Sequence, residues 1–267
     1  MFRKLLHEIS AERMDAENPL LPPFFYQQQK AYSFCMKFAK DKDVLEVGSG
    51  SGYGTYRLAK VASNILGIDS SELAVNKSKE KYKADNLNFI WSKIEDYRTK
   101  QEFDVVIALQ VLEHLEKPEL FLRKVAAILK KEGLLLITTP NSQTQSYNEN
   151  PYHYKEYSFG ELRNFFSKYF REVNLYGISG NSEVRNFERA RKDHVLSLLS
   201  GDRFKLRRFL PRKIKQLAFD LIAYLNRFLY QQRDRRLNRE ILEDDYKIAK
   251  ENEPNPIDII AVCRHLR

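Results

Sequence analysis

Short apolar runs alternate with longer amphipathic stretches through the first two thirds of the chain. The apolar runs are Asp43–Val47, Asn64–Asp69, Leu87–Trp91, Phe103–Leu109 and Gly133–Thr139. Stretches of helical character are Tyr53–Ala62, Ser71–Ala84 and Pro118–Lys130. Strands that alternate with helices in this way are typical of a parallel sheet whose faces are covered by helices. The pattern therefore predicts an α/β domain.

Residues that favour helix ends mark several of these boundaries. Ser70 or Ser71 is placed to cap one helix, Pro118 suits the first turn of another, and Gly133 follows the end of that second helix. The sequence Ser158-x-x-Glu161 is a capping box, which predicts a further helix to about residue 169. These signals agree with the alternation of strands and helices.

The last third of the chain departs from that alternation. Glu172–Gly177 and Ile257–Cys263 have the character of the last two strands, but the chain between them is too long for a hairpin. From about residue 180 to 255 it is polar and helix-rich, with an amphipathic run from Pro211 to Arg239. We therefore expect one domain at residues 41–267 that contains this stretch as a helical insertion. A helical region at residues 1–40 would complete the binding pocket.

The positive charge of the chain is concentrated in that insertion. The formal net charge is +9, yet the segment Arg185–Glu240 holds 16 Lys and Arg against 6 Asp and Glu. Three interpretations follow. The insertion is a lid packed on the sheet domain, or it binds a membrane surface through residues 205–239, or it binds RNA through Arg185–Arg191 and Arg203–Lys215. RNA is favoured least, because no recognisable RNA module accompanies the patch.

A glycine-rich turn follows the first predicted strand. In the run VLEVGSGSGYG, Gly48, Ser49 and Gly50 lie between a strand and a helix, where glycines let backbone amides approach a polar ligand. The turn could cradle a dinucleotide pyrophosphate, but Glu46 directly before it would repel phosphate. A carboxylate there suits a ligand that carries an ammonium group, such as the methionine part of S-adenosylmethionine.

A second acidic residue ends the next strand. Asp69, about twenty residues on, can accept hydrogen bonds from two ribose hydroxyls. An Asp that only caps the following helix would look the same. The signal becomes specific when it is combined with Glu46 and the glycines.

Four segments, EVGSGSGYG, GIDSS, FDVVIALQVLEHL and GLLLITTPN, occur in an order and spacing that resemble a class I S-adenosylmethionine-dependent methyltransferase. Within that superfamily, Glu12-Arg13-Met14, VLEHL, TTPN and NPYHYKEY resemble bacterial enzymes often encoded with surface-polysaccharide genes. The resemblance implies a Rossmann-like, seven-stranded, mostly parallel sheet flanked by helices. Its last strand is antiparallel and inserted beside its neighbour.

The resemblance also implies roles for individual residues, with S-adenosyl-L-methionine as the cofactor. The turn would wrap the methionine moiety with Glu46 behind it, and Asp69 would hold the ribose. The implied cofactor-binding residues are Glu46, Gly48, Ser49, Gly50, Asp69, Ser70, Ile94, Glu95, Leu109 and Gln110. Two positions depart from the family: Lys93 stands where an Asp usually pairs with adenine, and the equivalent of Gln110 is often acidic.

Two histidines compete for a catalytic role. His114 follows the fourth strand and His153 follows the fifth, where open α/β sheets place their ligands. Methyl transfer to a hydroxyl requires the proton to leave, and a histidine is a suitable base. Either residue could instead be structural, and positioning of the nucleophile supplies much of the rate.

Remaining features narrow the class of protein. Cys35 and Cys263 lie in apolar segments and suit buried thiols, and we expect no metal because no metal-ligand spacing is present. No apolar run approaches the roughly 18 residues of a membrane-spanning helix. The N-terminus lacks the apolar stretch of a secretory signal, so we expect a cytoplasmic protein. If the insertion binds a membrane surface, the protein would be peripheral to the inner membrane face.

Together these features predict a methyltransferase that acts on oxygen of a small-molecule or glycan acceptor. One alternative is an RNA or other macromolecular methyltransferase that uses the basic insertion. The other is a protein that binds S-adenosylmethionine without turnover, to which the departures at Lys93 and Gln110 point.

Overall fold

The computed structural model describes residues 22–145, 150–200, 211, 213–217, 219, 241–251 and 255–267. These residues form one eight-stranded sheet. The strands are β1 (Asp43–Val47), β2 (Asn64–Asp69), β3 (Leu87–Trp91), β4 (Phe103–Leu109), β5 (Leu129–Pro140), β6 (Phe170–Gly180), β7 (Tyr246–Lys250) and β8 (Asp258–Leu266). The helices are α1 (Pro22–Ala39), α2 (Tyr53–Ala59), α3 (Glu72–Lys81), α4 (Pro118–Ile128), α5 (Ser142–Gln145), α6 (Phe159–Phe166) and α7 (Ser182–Ser200). Short 3₁₀ turns occupy Leu112–His114 and Glu243–Asp245.

The strand order is β3-β2-β1-β4-β5-β8-β6-β7. Strands β1 to β5 are parallel, and β8 runs antiparallel between β5 and β6. This is the predicted Rossmann-like architecture, including the antiparallel strand inserted beside its neighbour. The carboxyl ends of β1, β2 and β4 therefore open on one crevice, which is where such sheets bind ligands.

Helices cover both faces of the sheet. Val105 and Ile107 of β4 pack into one buried cluster with α1 and α2, whereas Val106 and Ala108 pack into another with α4 and α6. Successive side chains of a strand point to opposite faces, so a strand buried on both faces needs a continuous apolar run. This explains why β4 was easy to find in the sequence.

The prediction of seven strands was wrong by one. Strand β7 lies inside the predicted helical insertion and pairs antiparallel with β6 at the edge of the sheet. Only Tyr246 of its five residues is buried. An edge strand exposed to solvent needs no apolar run, so its sequence carries no strong strand signal.

Several helices and strands begin or end a few residues from their predicted positions. The capping box at Ser158 is present, and Ser71 rather than Ser70 caps α3, where its side chain accepts a hydrogen bond from the Ala74 amide. Gly133 does not end a helix: α4 stops at Ile128 and Gly133 lies within β5. A Cβ at residue 133 would lie 2.8 Å from the Leu129 side chain, so close packing explains this glycine.

Helix α1 is joined to the sheet by hydrogen bonds. The Tyr32 hydroxyl on α1 donates to Glu46 on β1 at 2.7 Å, and the Tyr246 hydroxyl donates to the Pro23 carbonyl at 2.7 Å.

Most of the predicted amphipathic run, as well as Glu12-Arg13-Met14, lies outside the described residues. Residues 213–217 of that run are helical. Among the described residues, no helix is long and apolar enough to cross a membrane.

Candidate functional site

The glycine turn after β1 takes a backbone path that depends on glycine. Gly48, Gly50 and Gly52 all have positive φ angles, of 77°, 53° and 77°, a region that side-chain-bearing residues rarely adopt. A Cβ at residue 48 would lie 2.5 Å from the Val111 side chain, whereas one at residue 50 would meet nothing within 4 Å. The turn is thus packed on one side and open at Gly50.

A buried polar group without a partner lies next to Gly50 in the chain. The Ser49 side chain is 5% exposed, and its hydroxyl has no hydrogen-bond partner among the described residues. A buried polar atom of this kind is uncommon and calls for a ligand or a water. The open space at Gly50 and the hydroxyl of Ser49 fit the polar methionine portion of S-adenosylmethionine.

Glu46 is enclosed between α1 and α2. One carboxylate oxygen accepts from the Tyr32 hydroxyl at 2.7 Å and the other from the Thr55 hydroxyl at 2.5 Å. Burial raises the pKa of Glu46 to about 7, although both hydrogen bonds oppose the shift. Because both oxygens already accept from the protein, Glu46 would act on a bound ammonium group mainly through its charge.

Asp69 joins the turn to β2. Its carboxylate accepts from the Gly50 amide at 2.9 Å and from the Ser71 amide at 2.8 Å. It therefore fixes the glycine turn and the start of α3, and carboxylate oxygens can accept further bonds from a ribose. The side chain of Ser70 is exposed, and the Ser70 carbonyl accepts from the indole nitrogen of Trp91 at 3.1 Å.

The segment expected to meet adenine follows β3. Ile94 is buried, Glu95 is half-buried and Lys93 is exposed. Sequence reasoning missed Trp91, whose side chain is 56% exposed and which pairs with Asp69 in the β2–β3 register. An exposed indole at the carboxyl end of a strand offers a flat apolar surface to a planar ring. The signal available in the sequence was that Trp91 is the only tryptophan of the chain.

Gln110 follows the buried Leu109, at the end of β4, and has a positive φ of 55°. Its amide nitrogen donates to Thr138 at 3.2 Å and to the carboxylate of Asp258 at 3.0 Å. Gln27 of α1 donates to the same carboxylate oxygen at 2.5 Å. Gln27 and Asp258 were missed because 231 residues separate them and neither lies in a motif.

The two candidate histidines lie together. The ring centroids of His114 and His153 are 4.9 Å apart in an edge-on arrangement. His153 Nδ1 lies 2.8 Å from a carboxylate oxygen of Glu156, and His114 Nδ1 lies 3.3 Å from the Tyr152 carbonyl. Glu113, which is 1% exposed, accepts from Thr139 at 3.0 Å. The sequence presented the histidines as competitors, and the tertiary structure makes them one polar cluster.

Backbone hydrogen bonds hold this cluster in place. The Tyr154 amide donates to the Glu113 carbonyl at 2.7 Å, which joins the loop after β5 to the turn after β4. Part of the insertion touches the same loop. Gln216 donates to the Pro151 carbonyl at 3.4 Å, and the Phe219 ring lies 6.2 Å from that of Tyr152.

Comparisons with known proteins identify a methyltransferase domain. Residues 38–198 match a family described as a methyltransferase domain. A probable S-adenosylmethionine-dependent methyltransferase of Mycobacterium tuberculosis is 30% identical over 171 residues, 62% of each chain. A ubiquinone biosynthesis O-methyltransferase of Bradyrhizobium diazoefficiens is 30% identical over 108 residues, 39% of this chain and 42% of that protein.

A solved structure shows the same fold. The N-methyltransferase NodS of Bradyrhizobium japonicum, in complex with S-adenosyl-l-homocysteine, aligns with a TM-score of 0.55 and 14% identity, over 68% of this chain and 91% of its own. The fold and the glycine turn define the class I architecture of S-adenosylmethionine-dependent methyltransferases. The chain belongs to the methyltransferase domain family, and its matched region spans 62% of the Mycobacterium relative.

Proposed function

We propose that the chain transfers the methyl group of S-adenosylmethionine to a hydroxyl oxygen of a small-molecule or glycan acceptor. The observation that carries the proposal is the cluster of His114, His153, Glu113 and Glu156 at the crevice beside the end of β4. An acceptor hydroxyl must lose a proton during transfer, and the cluster provides groups that can bind the hydroxyl and assist that loss.

Bound S-adenosylmethionine supplies a methyl group on an already activated sulfonium. The turn from Gly48 to Gly50 and the Ser49 hydroxyl hold the methionine portion, and Asp69 accepts from the ribose. Ile94 and Trp91 would adjoin the adenine, with Ser70 and Glu95 nearby. Leu109 and Gln110 flank the methyl group. These elements hold the donor in line with an acceptor in the histidine cluster, and such alignment accounts for much of the rate of methyl transfer.

The acceptor oxygen forms the new bond to the methyl carbon as the carbon–sulfur bond breaks. Its proton passes by way of the histidine cluster to water, and S-adenosylhomocysteine is the second product. Transfer to oxygen, rather than nitrogen, is supported by the polar histidine cluster. The name of the Bradyrhizobium relative, a ubiquinone biosynthesis O-methyltransferase, points the same way.

The acceptor class rests on weaker support. The segments Glu12-Arg13-Met14 and NPYHYKEY resemble enzymes encoded with surface-polysaccharide genes, which favours a sugar or glycan. We call the loop after β5 that carries Pro151, Tyr152 and His153 the acceptor loop. A basic insertion beside this loop suits an acceptor that carries phosphate or is anchored at the inner membrane face. Contacts of Gln216 and Phe219 with that loop also support a lid over the acceptor.

The test is methyl transfer from S-adenosylmethionine labelled in its methyl group. The purified chain is incubated with a panel of nucleotide sugars, reducing oligosaccharides and catechols, and labelled products are separated by chromatography. We expect S-adenosylhomocysteine and an alkali-stable methyl ether with at least one sugar acceptor. Binding of S-adenosylhomocysteine without transfer to any member of a broad panel would favour a binding protein that lacks turnover.

A further inference from the structure

The cluster that holds the two histidines has the chemistry of a metal site. Among the described residues, donor atoms of Glu113, His114 and His153 all lie within 4.8 Å of one another. Two imidazoles and one carboxylate form a common ligand set for catalytic divalent transition metals, which leaves further coordination positions open to substrate. The spacing in sequence gave no hint of this, because His153 comes from a different loop.

The hydrogen bonds of His153 assign its proton. The Tyr152 amide donates to the Asn150 side-chain oxygen at 3.0 Å, so the Asn150 amide nitrogen faces His153 Nε2, also at 3.0 Å. Nε2 must then accept, and Nδ1 carries the hydrogen donated to Glu156 at 2.8 Å. His153 thus holds its lone pair on Nε2, and a cation there replaces the Asn150 contact.

His114 follows the same pattern. Its Nδ1 lies 3.3 Å from the Tyr152 carbonyl, which can only accept, so Nδ1 carries hydrogen and the lone pair of the neutral ring lies on Nε2. Histidines that ligate metals typically donate their other N–H to a carboxylate or a backbone carbonyl, which fixes the tautomer and the ring. His153 and His114 show one partner of each kind.

Two features favour a cation at this position. The backbone bond from Tyr154 to Glu113 fixes the two loops relative to each other, so the ligands are already placed. The cluster also lies at the carboxyl end of β4, where the acceptor is expected.

We propose that Glu113, His114 and His153 bind one divalent transition-metal cation that in turn binds the acceptor hydroxyl. This inference rests on the proposed function. The oxygen of the acceptor coordinates the cation and its proton passes to water. The oxygen then bonds to the methyl carbon while the electrons of the carbon–sulfur bond stay on sulfur. The cation acts as a Lewis acid and keeps its oxidation state. Acceptors with two neighbouring hydroxyls, such as sugars and catechols, would bind best because they chelate.

The experiment begins with untagged full-length protein treated with EDTA and then dialysed. Zn²⁺ is titrated against a competing chelator, and Co²⁺ is followed by its visible absorption. We expect one cation per chain in the wild type, and affinity lower by roughly 100-fold or more in Glu113→Gln and His153→Ala. Glu156→Gln should weaken Zn²⁺ binding by about 10–100-fold, because it removes the partner that fixes the ring.

Two matched controls separate the site from general effects. His265→Ala removes a half-exposed histidine that also lies near two glutamates, and it should leave the cation affinity unchanged. Glu161→Ala breaks the capping box of α6 and should lower stability without affecting Zn²⁺. S-adenosylhomocysteine binding is measured in every variant to show that the fold is retained.

The outcomes are separable. If wild type binds no more Zn²⁺ than Glu113→Gln, or if methyl transfer continues unchanged in excess EDTA, the cation site is overturned and the proposed function stands. If the wild type binds no S-adenosylhomocysteine, the proposed function fails whatever the result with Zn²⁺.

Discussion

The carboxylate of Asp258 accepts a hydrogen bond from the side-chain amide of Gln110 at 3.0 Å. Gln110 follows the last residue of β4, and Asp258 begins the antiparallel β8. Here the negative charge reaches this part of the crevice from a different strand. The family resemblance implies an acid at the position of Gln110, and in the structure the carboxylate beside Gln110 comes from a residue more than a hundred positions away.

Removing the Asp258 carboxylate should destabilise the fold. Asp258→Ala leaves the amide groups of Gln27 and Gln110 without their acceptor, in a region where Asp258 is 5% exposed. Buried donors that lose an acceptor cost about 1–3 kcal/mol. Urea denaturation should show a loss of this size, whereas Asp244→Ala, at an exposed acid, should change stability by less than about 0.5 kcal/mol. Equal effects of the two substitutions would contradict the role given to Asp258.

Cofactor binding should depend on Asp69 and Gly50. Asp69→Ala removes hydrogen bonds to ribose and also the bond to the Gly50 amide, for an expected loss on the order of 2–4 kcal/mol in binding. Gly50→Val places a branched side chain in the open space of the turn and strains a φ of 53°. Isothermal titration with S-adenosylhomocysteine measures both, with the exposed Asp85→Ala as control. Wild-type affinity in both folded variants would show that the assigned site is wrong.

Glu46 should make stability depend on pH. Its pKa is raised from 4.5 to about 7 by burial. Below pH 4.5 Glu46 is protonated in both states. Between pH 4.5 and 7 the unfolded chain releases the proton first, so stability falls as pH rises, by on the order of 3 kcal/mol in total.

Comparison with Glu46→Gln isolates this effect, since glutamine does not titrate. The difference in unfolding free energy between the wild type and Glu46→Gln should shift against the wild type from pH 5 to pH 8. The measurement is urea denaturation at both values. A difference that is constant with pH would mean that Glu46 is ionised throughout, in conflict with its enclosure between α1 and α2.

Both histidines of the cluster should matter for turnover. His114→Ala or His153→Ala should lower kcat by roughly 10²–10⁴ while S-adenosylhomocysteine affinity stays close to normal. This holds whether the residue binds a cation or accepts the proton itself, and His265→Ala serves as control. Steady-state kinetics with an acceptor found in the panel provide the measurement. A loss below tenfold at both positions would leave alignment of the acceptor as the only contribution of this cluster.

The basic insertion gives a prediction that separates three roles. Arg207, Arg208 and Arg212 lie outside the described residues, and Lys213 lies in the helical stretch 213–217. If residues 205–239 bind the inner membrane face, the protein should sediment with anionic vesicles and dissociate as salt rises, at about 1 kcal/mol for each basic residue near the surface. Replacing these four residues with Gln should abolish this and leave cofactor binding intact.

A lid and an RNA site give different results with the same four substitutions. A lid should show no vesicle binding, and the loss should appear in the KM of the acceptor or in stability. An RNA site should show a salt-dependent gel shift that weakens for all sequences. Absence of vesicle binding even at low salt would remove the membrane role. The contacts of Gln216 and Phe219 with the acceptor loop favour the lid in that case.

Local patterns were enough to predict the fold and the position of the glycine turn. The apolar runs at β1, β2 and β4 are continuous because those strands are buried on both faces, so their positions are visible in sequence. Glu46, the glycine turn and Asp69 lie within about 25 residues of each other, at or near the carboxyl ends of strands, where parallel sheets bind ligands. Their geometry depends mainly on local backbone conformation, which the residues themselves specify.

The polar clusters around the two histidines and around Asp258 were decided by tertiary structure. The pairing of His114 with His153, and of Gln110 with Gln27 and Asp258, joins loops, a helix and strands that are distant along the chain. Such contacts depend on how the elements pack and on the antiparallel insertion of β8, neither of which leaves a periodic signal. Strand β7 was missed for a related reason, because an exposed edge strand does not require an apolar pattern. The sequence by itself therefore determined the class of fold and the glycine turn, and packing alone decided which polar groups lie together beyond β4 and β5.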